Sequence, residues 1–115
     1  LAGAIYDPEL MSAYCTSEER GKDCELATDS SSVDFGGSSA SYKDERIKSV
    51  FSMAPAVGSA ITKESLTEIG LPVFIIASKD DELVSPKYGA MRYAENIPTS
   101  DLVLLPSGGH FIFLE

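Results

Sequence analysis

The segment Leu71–Ser78, which reads Leu-Pro-Val-Phe-Ile-Ile-Ala-Ser, decides the fold of this chain. Its residues 73–77 are apolar without interruption and rich in β-branched side chains, a pattern typical of a strand buried on both faces. Pro72 precedes the run, and polar residues follow it from Ser78 onward. The segment therefore predicts a buried β-strand.

A second apolar run lies upstream of this strand. Ile47–Ala54 contains β-branched and aromatic residues and ends at Pro55, so it predicts a first strand that is also covered on both faces. Between the two strands, Thr62 or Ser65 is suited to begin a short helix. The segment Ser65–Glu68 has the spacing of a capping box.

A helix and a third strand are predicted downstream. Ser85 and Pro86 have the order of an N-cap and a first helical residue, and Pro98 ends the helix. Apolar residues at i, i+3, i+4 and i+7 give this helix one buried face; they are Ala90, Tyr93, Ala94 and Ile97. Leu102–Leu105 then predicts the third strand.

Strands that alternate with short helices indicate an α/β fold, with about three parallel strands and helices on the faces of the sheet. In such sheets, functional groups collect beyond the carboxyl ends of the strands. The loops at those ends are residues 55–59, 78–85 and 107–111.

The first 45 residues have a different character from the rest. They hold ten acidic and three basic residues, against eight and six in residues 46–115. A helix is predicted from Asp7 to Tyr14, with Asp7 as N-cap and Leu10 and Met11 on its apolar side, and a Ser/Gly-rich loop over residues 28–43. We therefore divide the chain into an acidic insertion segment, 1–45, and an α/β core, 46–115.

Length and charge exclude several classes of function. The 115 residues amount to about one small domain, and the net charge of −9 argues against nucleic acid or anionic lipid as a partner. No apolar run is long enough to span a bilayer. The start has neither Met nor a basic signal-peptide region, so we expect a cut chain, and Glu115 resembles a residue left by a cloning site.

The two cysteines, Cys15 and Cys24, lie in the acidic segment. A disulfide would tie down a segment with little core and would favour an exported or periplasmic location, whereas two free thiols would suit a cytosolic protein. Spacing alone leaves both readings, and the compartment, open. Zinc binding is disfavoured because the single histidine is far along the chain.

Asp81 and His110 are the candidate catalytic residues. They follow the second and third predicted strands and are 29 positions apart, which is the length of one crossover helix and one strand. An imidazole acting as a general base needs a carboxylate at Nδ1 to hold its tautomer and stabilise its positive charge. The alternatives are a turn histidine and a solvated acidic loop, or a metal site that adds Asp80 and Glu82 but has no His or Cys cluster.

Several segments in this order resemble the C-terminal half of an α/β-hydrolase, and in particular the dienelactone hydrolases that are similar to platelet-activating-factor acetylhydrolases. The segments that carry the resemblance are Asp44–Val50, Ala54–Gly58, Leu71–Ala77, Asp81–Val84 and Leu105–Phe111. The resemblance implies a partial α/β-hydrolase fold in which Asp81 is the triad acid, with Asp80 as fallback, and His110 is the base. It implies no cofactor.

The nucleophile of that family sits on a Gly-x-Ser-x-Gly elbow that precedes the acid and the base. This chain has no such elbow between a buried strand and a helix, and Ser38 in Gly-Gly-Ser-Ser-Ala is only a poor match. The resemblance therefore implies a C-terminal fragment of a serine hydrolase for small ester or acyl substrates, inactive alone. The alternative is a small non-catalytic α/β binding domain.

Self-association is a further expectation. A fragment of a larger sheet leaves a strand edge open to pairing with another chain. We expect Ser49–Met53 to be that edge, with Phe51 and Met53 in an exposed apolar patch that supports a homo-oligomer.

Overall fold

The computed structural model describes residues 2–25 and 41–114. Three strands run along the chain as β1 (Val50–Met53), β2 (Val73–Ser78) and β3 (Ser100–Leu105). The helices are α1 (Pro8–Thr16), α2 (Lys63–Thr67) and α3 (Arg92–Asn96), the last continuing a π-helical turn at Lys87–Met91. Short 3₁₀ turns occupy Gly58–Ala60 and Ile112–Leu114.

The three strands form one parallel sheet in the order β1-β2-β3. Val73 of β2 is paired with Val50 of β1 on one side and with Ser100 of β3 on the other. Helix α2 lies in the connection from β1 to β2, and α3 lies in the connection from β2 to β3. The α/β fold class is therefore confirmed, and the strand predicted in Leu71–Ser78 lies at the centre of this sheet.

One face of the sheet carries the core. Val73, Ile75 and Ala77 alternate along β2 and are buried against residues of the helical connections. Their buried partners in one cluster are Ile61, Leu66, Ile69, Ala90 and Ile97. The apolar stripe predicted for the helix after Ser85 thus packs inward at Ala90 and Ile97, as its spacing requires.

The other face of the sheet is exposed in the described residues, which corrects the prediction that the first and second strands are covered on both faces. Phe51 and Met53 of β1 are 61% and 51% exposed, and Phe74 and Val103 beside them are 38% and 40% exposed. The rings of Phe51 and Phe74 stack with centroids 5.4 Å apart. Apolar composition predicted the strand, but only neighbouring elements could have covered its second face.

Of the two starts predicted for the helix between β1 and β2, the structure has Thr62 and not Ser65. Helix α2 begins after Thr62, and Ser65 lies inside it rather than capping it, so the capping-box interpretation is wrong. The Ser65 hydroxyl instead accepts a hydrogen bond from the backbone N–H of Ile5 at 2.9 Å. A long-range contact has therefore replaced the local cap.

The amino-terminal segment packs on the core. Asp7 caps α1 by accepting from the N–H of Glu9, as predicted, and Met11 and Tyr14 are buried, whereas Leu10 is exposed. Tyr6 forms an antiparallel bridge with Ile61. The described helices include none long and apolar enough to cross a membrane.

A disulfide joins Cys15 and Cys24, so of the two readings that their spacing left open, the structure has the bridge. The predicted Ser/Gly-rich loop over residues 28–43 falls mostly on residues 26–40, which lie outside the described residues, as does Ser38.

Candidate active site

The candidate site lies at the carboxyl ends of β2 and β3, where parallel sheets place functional groups. Ser78 ends β2, and the acidic loop that carries Asp81 follows it. Leu105 ends β3, and the glycine-rich loop that carries His110 follows it. Lys79 donates its backbone N–H to the carbonyl of Leu105 at 3.0 Å, so the two loops begin side by side.

Asp81 and His110 are in direct contact. The Asp81 Oδ2 and His110 Nδ1 atoms are 2.8 Å apart. The Asp81 side chain is 2% exposed, while that of His110 is 22% exposed. A buried carboxylate therefore contacts an imidazole that solvent can reach.

The second carboxylate oxygen of Asp81 is held by its own loop. Oδ1 accepts hydrogen bonds from the backbone N–H groups of Leu83 at 3.0 Å and Val84 at 2.8 Å. These bonds orient the carboxylate and leave Oδ2 for His110. With its proton on Nδ1, the ring carries a lone pair on Nε2, the arrangement that a general base requires.

The backbone of the histidine loop depends on two glycines. Gly108 has a φ of +121°, and a side chain there would overlap Ile112. A Cβ on Gly109 would lie 2.8 Å from Glu82 Oε2. That oxygen accepts a hydrogen bond from the His110 N–H at 3.2 Å, so Glu82 approaches the histidine backbone closely.

The structure brings Asp81, rather than the fallback Asp80, to His110. Asp80 is exposed and its backbone N–H bonds to the Ser78 hydroxyl at 3.3 Å. Neither the role of Ser78 nor the contact of Glu82 with His110 was predicted from the sequence. A polar residue that ends an otherwise apolar strand was the available signal for Ser78.

The loop after β1 borders the same end of the sheet and is conformationally restrained. Ala54 and Val57 have φ values of +43° and +53°, in the left-handed region that non-glycine residues seldom adopt. Arg92 secures the loop by donating to the carbonyls of Gly58 at 2.7 Å and Ile61 at 2.8 Å. Such conformations persist only where surrounding contacts maintain them.

Tyr93 provides another contact to this loop. Its hydroxyl donates to the carbonyl of Ala56 at 2.9 Å. Burial raises the pKa of Tyr93 to about 12, with a smaller opposing effect from the charge of Arg92. The phenol is therefore neutral and a hydrogen-bond donor throughout the ordinary pH range.

Among residues 2–25 and 41–114, no group of three or more His, Cys, Asp and Glu side chains is arranged to hold a metal ion. The acidic loop instead directs its carboxylates to backbone N–H groups and to His110.

Comparison with known proteins gives a sequence similarity to a hydrolase and similarities to solved structures. No protein-family model matches the sequence. RutD of Agrobacterium fabrum (strain C58), which is named as a carbamate hydrolase, is 49% identical over 47 residues, covering 41% of this chain and 18% of RutD.

One similar solved structure is a serine-to-alanine variant of a meta-cleavage product hydrolase from Pseudomonas fluorescens IP01, complexed with acetates. Its comparison with this chain gives a TM-score of 0.43 and 22% identity. The match covers 49% of this chain and 21% of that chain, so this chain spans only a small part of either relative. The three-stranded parallel sheet with flanking helices is an α/β fold, and 47 residues of the chain are similar in sequence to part of a protein named as a carbamate hydrolase.

Proposed function

We propose that this chain supplies the acid and the base of a serine hydrolase, Asp81 and His110, for a nucleophile that lies outside these 115 residues. The single observation that supports the proposal is the contact of 2.8 Å between Asp81 Oδ2 and His110 Nδ1 at the carboxyl ends of adjacent parallel strands. It is the geometry that a triad acid needs to orient a triad base.

In the proposed mechanism, Asp81 holds the proton on Nδ1 of His110. The lone pair on Nε2 then accepts the proton of a serine hydroxyl as that hydroxyl attacks the substrate carbonyl, and the resulting imidazolium is stabilised by the carboxylate. His110 returns the proton to the leaving group. A water molecule, activated in the same way, then hydrolyses the acyl-enzyme.

We propose small carboxylic esters or related acyl compounds as substrates. The resemblance to dienelactone hydrolases favours an ester, and the name of RutD favours a carbamate, in which an acyl carbon bears nitrogen. Both would be attacked at a carbonyl carbon by the same serine and histidine chemistry. We also propose the division at residue 45, with the acidic segment 1–45 as an insertion beside the core 46–115.

The chain alone is expected to be inactive. A hydrolase that lacks its serine loses the covalent step, and loss of a single oxyanion-hole donor costs on the order of 3 to 4 kcal/mol of transition-state stabilisation. Ser38 is not expected to replace the missing serine, because its flanking sequence has neither the buried strand nor the helix of an elbow.

The test is an esterase assay with a short-chain nitrophenyl ester. We compare the 115-residue chain with a longer polypeptide that carries upstream sequence with a Gly-x-Ser-x-Gly elbow. The longer polypeptide should turn over substrate and lose that activity in His110→Ala. The control is Ser38→Ala, which should leave its activity unchanged. Turnover by the short chain that Ser38→Ala abolishes would overturn the proposal.

We also propose that copies of this chain associate through the open edge of β1 and the exposed apolar face beside it. Phe51 and Met53 are exposed on β1, whose outer edge has no neighbouring strand among the described residues. Open edges and apolar patches both promote pairing. Sizing chromatography at increasing concentration should show a dimer that Phe51→Lys disrupts. A sharp monomer peak at high concentration would contradict it.

A further inference from the structure

The hydroxyl group of Ser78 connects the two loops that carry Asp81 and His110. Ser78 is the last residue of β2 and is 1% exposed. Its Oγ donates a hydrogen bond to the carbonyl oxygen of Gly108 and accepts one from the backbone N–H of Asp80 at 3.3 Å. One side chain thus bonds the residue before Asp81 and a residue of the histidine loop.

The Ser78 side chain is buried, and its hydrogen bonds to Gly108 and Asp80 are partly buried. When a buried hydrogen-bonding group loses its partner, water cannot easily substitute, and the full desolvation cost is felt. The Gly108 carbonyl also belongs to a residue with a left-handed φ of +121°, so its direction depends on the contacts around it. The loops are also linked by the Lys79 N–H, which donates to the Leu105 carbonyl, and at an exposed position by the His110 N–H, which donates to Glu82.

We infer that Ser78 is a positioning residue, whose hydroxyl holds the histidine loop against the acidic loop so that Asp81 can bond Nδ1 of His110. This inference rests on the proposed function, because the bond matters for chemistry only if the pair is catalytic. Ser78 does not itself contact Asp81 Oδ2 or the imidazole; it acts through the backbone of Asp80 and Gly108.

The test uses His110 as its own probe. His110 is the one histidine in the 115 residues, so a long-range ¹H–¹⁵N spectrum shows one imidazole without ambiguity. At a pH where the ring is neutral, the wild-type chain should carry its proton on Nδ1. In Ser78→Ala we expect loss of this preference and a mixture of both tautomers. Ser78→Thr, which keeps the hydroxyl, should restore the Nδ1–H form.

A matched control separates positioning from stability. Ser65 is 5% exposed, and its hydroxyl hydrogen-bonds the Ile5 N–H, the Thr62 hydroxyl and the Thr62 carbonyl. Ser65→Ala should lower the melting temperature and leave the tautomer unchanged. If Ser78→Ala does not fold, Ser78→Cys is measured instead, because a thiol of similar size is a weaker donor and should give an intermediate mixture.

The outcomes distinguish this inference from the proposed function. A folded Ser78→Ala or Ser78→Cys chain that keeps the wild-type tautomer would overturn the positioning role and leave the Asp81–His110 pair intact. A wild-type ring with its proton on Nε2 would contradict the bond between Asp81 and His110, and with it the proposed function.

Discussion

Two substitutions of Asp81 separate the charge of its carboxylate from its hydrogen bonds. The carboxylate accepts from the N–H groups of Leu83 and Val84 through Oδ1 and contacts His110 Nδ1 through Oδ2. In Asp81→Asn, the amide oxygen can keep the bonds to the backbone while the NH₂ group faces the ring. Asp81→Ala loses all these contacts.

The expected magnitudes follow from these bonds. A hydrogen bond to a charged group contributes about 1 kcal/mol more than a neutral one, so Asp81→Asn should lower the free energy of unfolding by about 1 kcal/mol. Asp81→Ala leaves the Val84 N–H, in a residue only 5% exposed, without its acceptor. Such an unsatisfied buried group, added to the lost contacts, should cost roughly 3 kcal/mol.

Asp81→Asn should reduce catalysis much more than it reduces stability. An NH₂ group donates to Nδ1 and so moves the ring proton to Nε2, the atom that must accept a proton. In a longer polypeptide that contains the nucleophile, Asp81→Asn should therefore reduce kcat on the order of 10⁴-fold despite its small effect on folding.

The assays are urea unfolding of the 115-residue chain and ester hydrolysis by the longer polypeptide. Asp80→Asn is the matched control, since Asp80 is exposed and only its backbone N–H is bonded to Ser78. It should change neither measurement appreciably. Equal destabilisation by Asp81→Asn and Asp81→Ala, or full activity in Asp81→Asn, would refute the reasoning.

Three other predictions concern stability. The pKa of Tyr93 is about 12 in the folded chain, against an ordinary 10.0. The free energy of unfolding should therefore fall by about 2 to 3 kcal/mol as the pH rises from 10.0 to 12. In alkaline urea titrations, Tyr93→Phe should remove this decrease. Cys15 and Cys24 are 9 positions apart, and reducing the bridge between them should lower the free energy of unfolding by about 2 to 3 kcal/mol. The melting temperature should fall as well, and an unchanged melting temperature would contradict this prediction. Gly89→Ala should lower the free energy of unfolding, measured in urea, by about 1 to 3 kcal/mol, because its Cβ would overlap a backbone carbonyl of the loop after β1. Gly70→Ala should leave it unchanged, because a Cβ there would meet no atom within 4 Å.

The sequence was most informative where local pattern and tertiary role agree. The uninterrupted apolar run of residues 73–77 predicted a strand, and that strand lies between β1 and β3. The positions of Asp81 and His110 were predictable for the same reason, because parallel strands bring their carboxyl ends to one edge of the sheet. Strand order and strand ends together were sufficient to bring the pair close.

Contacts that depend on distant partners were not predictable in this way. Ser65 fits a local capping box, but its hydroxyl bonds Ile5, 60 positions away. The first strand was predicted to be covered on both faces, yet the face that carries Phe51 is exposed, because composition does not say which elements cover a sheet. Spacing could not decide the Cys15–Cys24 bridge either, since bridging requires the two Cα atoms to approach to a suitable distance, here 5.6 Å.

The contact between Glu82 and the histidine loop extends this argument to the site itself. Gly109 reads in the sequence as a turn residue, but in the structure its lack of a side chain lets Glu82 reach the His110 N–H. Gly109 therefore makes room for the Glu82 carboxylate in addition to its place in the turn. Gly109 is thus needed for the turn of the histidine loop and also for the close approach of Glu82 from the acidic loop. We therefore expect the distance between Asp81 and His110 to depend on the geometry of both loops.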